Sequence, residues 1–166
     1  MRILVIGGNL FIGRLLVNQL LEQGHELSIL HRRDSHPYGP HVQNLQADRN
    51  DPEAVKAAVG DARFDVVFDN VYDWERGTTA EQVRGCVPAT QPDRLHRYVF
   101  MSSVAAYFEG LDHIESDPLA PADCPDVYAR NKALSERALF RMHQKSGFPI
   151  VTFRPPYIYG PGNPFY

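Results

Sequence analysis

Short runs rich in Val, Ile, Leu and Phe alternate along the chain with longer stretches whose apolar positions recur at helical spacing. Ile3–Ile6 predicts a first strand, Phe11–Gln23 a helix with Leu15, Leu16, Leu20 and Leu21 on one side, and Leu27–Leu30 a second strand. Gly24 stands where a helix C-cap belongs. Val42–Gln46 reads as a third strand, and Asp51-Pro52-Glu53 opens a helix, with Asp as cap, Pro in the first turn and Glu favourable to the dipole. Phe64–Phe68 is the fourth strand. Helix is expected from Arg76 to about Cys86 and is broken by Pro88 and Pro92. A fifth strand, Tyr98–Met101, ends in Ser102-Ser103, a long helix runs from Asp126 to about Lys145 and closes at Gly147, and Ile150–Phe153 is the sixth strand. Strands this apolar have no wet face, so the β-α-β-α order predicts an α/β fold, a doubly wound parallel sheet of about six strands with helices on both faces. Ligands of such sheets lie at the C-terminal ends of the strands.

The 166 residues, 43% of them hydrophobic, suffice for one compact domain around one core and not comfortably for two. A net charge of −3 carries no strong electrostatic footprint for nucleic acid or a membrane surface. Cys86 and Cys124 lie outside any C-x-x-C spacing and read as ordinary thiols of a reducing compartment. The histidines, including His31, His36 and His41, show no metal-ligand grouping, so no metal is expected. The first apolar run is too short for a signal peptide or a membrane span, and the protein reads as soluble and cytoplasmic.

Between the first strand and the first helix stands Gly7-Gly8-Asn9-Leu10-Phe11-Ile12-Gly13. A turn this tight lets backbone N–H groups at the helix N-terminus face a pyrophosphate, and glycine is needed where a side chain would block that approach. The middle glycine of the dinucleotide pattern falls on Leu10, whose side chain must stay clear of the phosphates. The second strand ends in Leu30-His31-Arg32-Arg33-Asp34. Arg32 or Arg33 there suits a 2′-phosphate and favours NADP over NAD, whereas solvated arginines with Asp34 on the ribose would not. Asp48, just past the third strand, is placed either to accept from an adenine amino group or to cap a turn at the surface.

Tyr128 and Lys132 are four residues apart and share a helix face. A phenol is a poor base at neutral pH, and a neighbouring cation favours its ionised form. Ser102-Ser103 ends the fifth strand at the same sheet edge as the glycine turn, where a hydroxyl could polarise a substrate carbonyl while the tyrosine moves a proton.

In this order and spacing the glycine turn, Ser102-Ser103, Tyr128-x-x-x-Lys132 and Arg154-Pro155-Pro156-Tyr157-Ile158-Tyr159-Gly160-Pro161-Gly162 resemble the extended short-chain dehydrogenases/reductases, the NAD-dependent epimerase/dehydratase group. The resemblance covers Ile3 to Asn163 and implies a Rossmann-type NAD(P)-binding domain over residues 1–160. It implies Ser103 rather than Ser102 as the catalytic hydroxyl, Tyr128 as acid/base, and Lys132 as the residue that binds the nicotinamide ribose and depresses the tyrosine pKa. Gly7, Gly8, Leu10, Phe11, Ile12 and Gly13 would form the pyrophosphate turn, with Arg32 and Asp48 at the adenosine, Asn70 in the loop after the fourth strand, and Pro155 beside the nicotinamide. Arg154 reads equally well as a structural charge at the strand end.

With Leu10 in place of the middle glycine, the Gly-Gly-x-x-Phe-Ile-Gly turn resembles that of an atypical branch, some of whose members are nucleotide-sugar epimerases and others RNA-associated. Members of the family continue into a smaller substrate domain, so residues 161–166 are expected to begin a truncated substrate-binding region, with the C-terminal substrate domain missing. The implied activity is hydride transfer on a hydroxyl or carbonyl of a small molecule, usually a nucleotide-linked sugar. Epimerase, dehydratase and dehydrogenase outcomes all stay open. A homodimer also stays open, and the short apolar runs and weak net charge lead to no expected membrane partner. The alternative is a non-catalytic NADP-binding or RNA-associated module of the same fold.

Overall fold

A computed structural model describes residues 1–92 and 95–163. Six parallel strands, β1 (Arg2–Ile6), β2 (Glu26–His31), β3 (Val42–Gln46), β4 (Val66–Asp69), β5 (Arg97–Met101) and β6 (Ile150–Phe153), form one sheet in the order β3-β2-β1-β4-β5-β6. This is the order of a doubly wound Rossmann-type sheet, whose winding reverses between β1 and β4.

Alternation along β1 sets which helix packs where. Ile3 and Val5 meet Val17 and Leu20 of α1 (Phe11–Glu22) on one face. Leu4 and Ile6 belong to the larger core on the other face, with Val55 and Val59 of α2 (Pro52–Val59), Val83 and Val87 of α3 (Ala80–Ala89) and Leu139 of α4 (Val127–Ser146). Local signals set several helix ends. Asp51 accepts from the N–H groups of Glu53 and Ala54, Pro52 occupies the first turn, and Gly147 closes α4 in the left-handed conformation. No helix among the described residues is long and apolar enough to cross a membrane.

The helix expected from Arg76 to Cys86 begins and ends later. Thr79 accepts from the Gln82 N–H while the Gln82 side chain accepts from the Thr79 N–H, a capping box that fixes the start at Ala80. Pro88 is the penultimate residue of α3 rather than its breaker. Its ring denies a donor to the carbonyl of Arg84, and Arg84 is exposed to water, so the usual penalty is small there.

Beneath the C-terminal strand ends lies a buried ion pair that the sequence pattern did not reveal. Arg49, just past β3, donates two hydrogen bonds to Asp69 at the end of β4, with side chains 2% and 0% exposed. Tyr98 on β5 donates to the same carboxylate at 2.8 Å, and a third guanidinium bond reaches the Gln82 carbonyl of α3 at 3.0 Å. Burial alone would lower the pKa of Arg49, but Asp69 outweighs it and the guanidinium is held more firmly charged. Burial likewise pushes the nearby Cys86 thiol up to about 12. Removing one partner strands the other, so Asp69→Ala should lower stability in urea unfolding by about 3–5 kcal/mol. The apolar triple replacement Arg49→Met, Asp69→Leu, Tyr98→Phe should regain most of that loss.

Candidate functional site

The first structural determinant is the turn after β1. A Cβ on Gly13 would lie 1.9 Å from the Gly7 carbonyl oxygen, and one on Gly7, whose φ is +85°, would lie 2.6 Å from the Val71 side chain. Glycine is therefore obligatory at both positions for β1, α1 and the β4 loop to approach this closely. Gly8 serves packing instead and does not line the cleft, since its Cβ would meet Ile29 and Val17 at 3.0 Å. Leu10 occupies the N-cap position of α1 in extended backbone, makes no side-chain cap, and is 61% exposed.

A cleft of about 1760 Å³ runs along the C-terminal strand ends. It is lined by Gly7, Leu10, Phe11, Ile12 and Gly13 from the turn, by Arg32, Asp48 and Asn70 from the loops after β2, β3 and β4, and by Ser103, Tyr128, Lys132 and Pro155. At one end Arg32 is 67% exposed and 3.5 Å from Asp73. Asp48 accepts from the Asn50 N–H at 2.9 Å and from Arg76 at 2.6 Å. Burial works against its charge, but these donors prevail and hold the Asp48 carboxyl below its ordinary range. Arg76 also bonds Asp73, so one loop after β4 ties down the loops after β2 and β3.

At the other end, the Asp126 carboxylate caps α4 by accepting from the Ala129 N–H, and this fixes the first turn that carries Tyr128. Ser103 begins a 3-10 turn over Val104–Tyr107, and its hydroxyl accepts from the Ala105 N–H at 3.2 Å. Burial raises the pKa of the Tyr128 phenol, and the hydrogen bond with Ser103 pulls the other way. Lys132 is buried, its ammonium donating to the Met101 carbonyl at 2.5 Å and lying over the rings of Phe100, Tyr72 and Tyr128 at 5.0, 5.3 and 5.8 Å. Desolvation lowers its pKa to about 8, opposed by the charges of Asp69 and Glu136.

Arg154 is structural. It forms a forked pair with Glu136, which is fully buried and also accepts from Ser102, and its Nη1 reaches the Tyr107 hydroxyl and the Glu115 carbonyl. Both serines border the cleft, but the Ser102 hydroxyl is engaged by Glu136 beneath the sheet edge, and Ser103 is the serine hydrogen-bonded to Tyr128. Three aromatic rings gather at the same end. Trp74 stacks on Tyr128 at 4.8 Å, and Tyr72 sits edge-on to both. Sequence reasoning missed Tyr72, Trp74 and Arg76, whose only signal was their place after β4. No cluster of metal-ligating side chains occurs among the described residues.

An anionic dinucleotide fits this cleft. The glycine pair lets the start of α1 lie close against β1 at the cleft, and α1 has neither a side-chain cap nor an acidic residue in its first turn. Both amide atoms of Asn70, and Oδ1 of Asn9, are shut off from water without a partner. Gly7, Leu10 to Gly13 and Asn70 would hold the phosphates and the ribose beyond them.

A model of the NAD dependent epimerase/dehydratase family matches residues 3–165. Over 98% of its length the chain is 29% identical to the chloroplast stem-loop binding protein of 41 kDa b of Arabidopsis thaliana, covering 43% of it. It is 28% identical to a 3-beta-hydroxysteroid dehydrogenase of Mycolicibacterium neoaurum, again over 98% of the chain and covering 49% of the relative. The structure of the UDP-glucose 4-epimerase of Thermus thermophilus in complex with NAD superposes with a TM-score of 0.77 at 25% identity, over 93% of this chain and 54% of that one. The chain spans about half the length of the curated relatives it matches.

The buried Lys132 makes stability depend on pH. Below pH 8 its ammonium is retained in both folded and unfolded protein, so it contributes no slope there. Between pH 8 and its ordinary 10.5 the folded state has shed a proton that the unfolded chain still binds, so stability rises. In urea titrations the wild type should gain roughly 3 kcal/mol over that window relative to Lys132→Met, which lacks the titrating group.

Proposed function

The chain belongs to the NAD-dependent epimerase/dehydratase family, and from that membership we propose that it is an NAD(P)-dependent oxidoreductase acting on a small molecule. The reaction is the interconversion of a secondary alcohol and its ketone, with a nucleotide-linked sugar as the favoured substrate. The observation that carries this reading is the convergence of Ser103, Tyr128 and Lys132 on the cleft that the turn of Gly7 and Gly13 also lines. The similarity to UDP-glucose 4-epimerase supports the sugar, and that to the hydroxysteroid dehydrogenase supports the alcohol-to-ketone chemistry. Residues 1–160 form the cofactor domain in this reading. Residues 161–166 begin the substrate-binding region, of which 164–166 lie outside the described residues.

A dinucleotide held by the turn after β1 would supply the hydride acceptor and donor for the substrate carbon. Tyr128, as phenolate, takes the proton from the substrate hydroxyl, and Ser103 donates a hydrogen bond to the same oxygen. Lys132 provides the positive charge that favours phenolate in a site where burial opposes it. Arg32, exposed and held only loosely by Asp73, is free to take a 2′-phosphate, which makes NADP the preferred cofactor.

A second reading rests on the stem-loop binding relative: an RNA-associated module with the same fold. The net charge of −3 disfavours it. Salt-dependent RNA binding by this chain, undiminished in Tyr128→Phe, would select it.

Tyr128→Phe should lower turnover by about 10²–10⁴-fold, measured as NAD(P)H absorbance with UDP-sugar substrates. Because oxidation consumes phenolate, its rate should rise with pH up to about 8 and level off above it, where Lys132 sheds the charge that supports the phenolate, while reduction, which needs the phenol, should persist over the same range. NADP should raise the melting temperature more than NAD does. Arg32→Ala should erase the difference, a loss of about 1.4 kcal/mol if the preference is tenfold.

A further inference from the structure

Trp74 is the chain's single tryptophan, and it is 65% exposed. An indole left on a surface normally faces water on both sides, yet this one lies on the Tyr128 ring with centroids 4.8 Å apart and planes at 26°. Tyr72 contacts Trp74 edge-on at 5.0 Å and Tyr128 at 4.8 Å, so the phenol ring is covered on one face and braced on an edge.

The loop that carries Trp74 is firmly built. The buried Asp73 accepts from the N–H groups of Glu75 and Arg76 at 3.0 Å, and its own N–H donates to the Thr78 hydroxyl. Asn50 donates to the Gly77 carbonyl, and Asn131 of α4 donates to the Tyr72 hydroxyl. These contacts hold the indole in place without any ligand.

We propose that Trp74 is a positioning residue for Tyr128, an indole cover that keeps water off the phenol and fixes the plane in which its hydroxyl meets the substrate. The proposal rests on the reading of Tyr128 as the proton carrier. The groups facing that phenol are Lys132 and Asp126 from α4, Ser103 from the end of β5, and Tyr72 from the β4 loop. All of them are retained in a Trp74 variant; Tyr72 alone also touches the indole, and Tyr72→Phe reports its share of the effect. A phenolate is disfavoured wherever water is excluded, and the cover therefore delays ionisation until a cation or substrate compensates.

The test reads Tyr128 ionisation directly and needs no turnover. In the wild type the emission of Trp74 should show quenching with rising pH as phenolate forms at Tyr128 and at Tyr72, both of which touch the indole, and in the Tyr72→Phe background a step should remain that Tyr128→Phe abolishes. Tyrosinate absorbance should then locate the Tyr128 midpoint as the difference between each Trp74 variant and the same variant carrying Tyr128→Phe. Trp74→Ala should lower that midpoint by about one pH unit, a tenfold change in ionisation constant, and Trp74→Phe should restore most of it. An unchanged midpoint in Trp74→Ala, or wild-type emission with no Tyr128-dependent step, would overturn the proposal. A merely structural role would lower the melting temperature of Trp74→Ala and leave the midpoint where it was. If Tyr128→Phe proves fully active while Trp74→Ala shifts the midpoint, the oxidoreductase mechanism falls and the cover stands.

Discussion

The C-terminal edge of the sheet is organised by a row of charges of alternating sign, the buried Arg49, Asp69, Lys132 and Glu136 and the half-buried Arg154. Charges removed from water persist only where partners and hydrogen bonds compensate them. Here the compensation spans the molecule's elements, with Arg49 from the loop after β3, Asp69 from β4, Lys132 and Glu136 one turn apart on α4, and Arg154 just past β6. Tyr98, Ser102 and Tyr107 and the carbonyls of Gln82, Met101 and Glu115 supply further hydrogen bonds. Moving the end of β3, β4, β5 or β6 would disturb a charge or its partner, so this part of the rim is fixed more strictly than apolar packing alone would fix it.

Lys132 is the member of that row with no salt bridge among the described residues. It has a backbone carbonyl, three aromatic faces and the more distant fields of Asp69 and Glu136. Its ammonium is therefore held near its tipping point, with a pKa of about 8, while Arg49 and Arg154 are locked in the charged state. A lysine suits this place because an ammonium yields its proton under desolvation and a guanidinium does not. The element that can change charge near neutral pH thus stands next to the phenol whose ionisation is opposed by burial.

How much of this was legible depended on the sequence separation of the interacting groups. The strands, the Asp51-Pro52 start of α2 and the Gly147 end of α4 follow from signals a few residues long, and the structure places them within a few residues of where the pattern does. The motif residues, Gly8 apart, line one cleft because each follows a strand of the same parallel sheet. The buried pairs were invisible: Arg49 and Asp69 are 20 residues apart and Glu136 and Arg154 are 18, with nothing local to mark either as joined. Arg154 is equally readable in the sequence as a cofactor-loop residue, and only its fork on Glu136 decides for a structural role. The late start of α3 had a local cause in Thr79 and Gln82, which the apolar pattern alone overlooked.

Leu10 shows how a departure from a motif can leave its physical requirement intact. The glycines of such a turn answer different constraints, and substitution matters only where a Cβ would collide. At Gly13 the Cβ would lie 1.9 Å from the Gly7 oxygen, closer than any rearrangement of side chains could relieve, so this position dictates how near α1 comes to β1. Leu10 has φ −124° and ψ 146°, ordinary extended backbone for any residue, and its side chain projects outward. The uncapped start of α1 is therefore preserved, and with it the partial positive charge that an anionic group would meet. What the turn must conserve is the approach of one backbone to another, and Gly7 with Gly13 secures it while Leu10 only borders it.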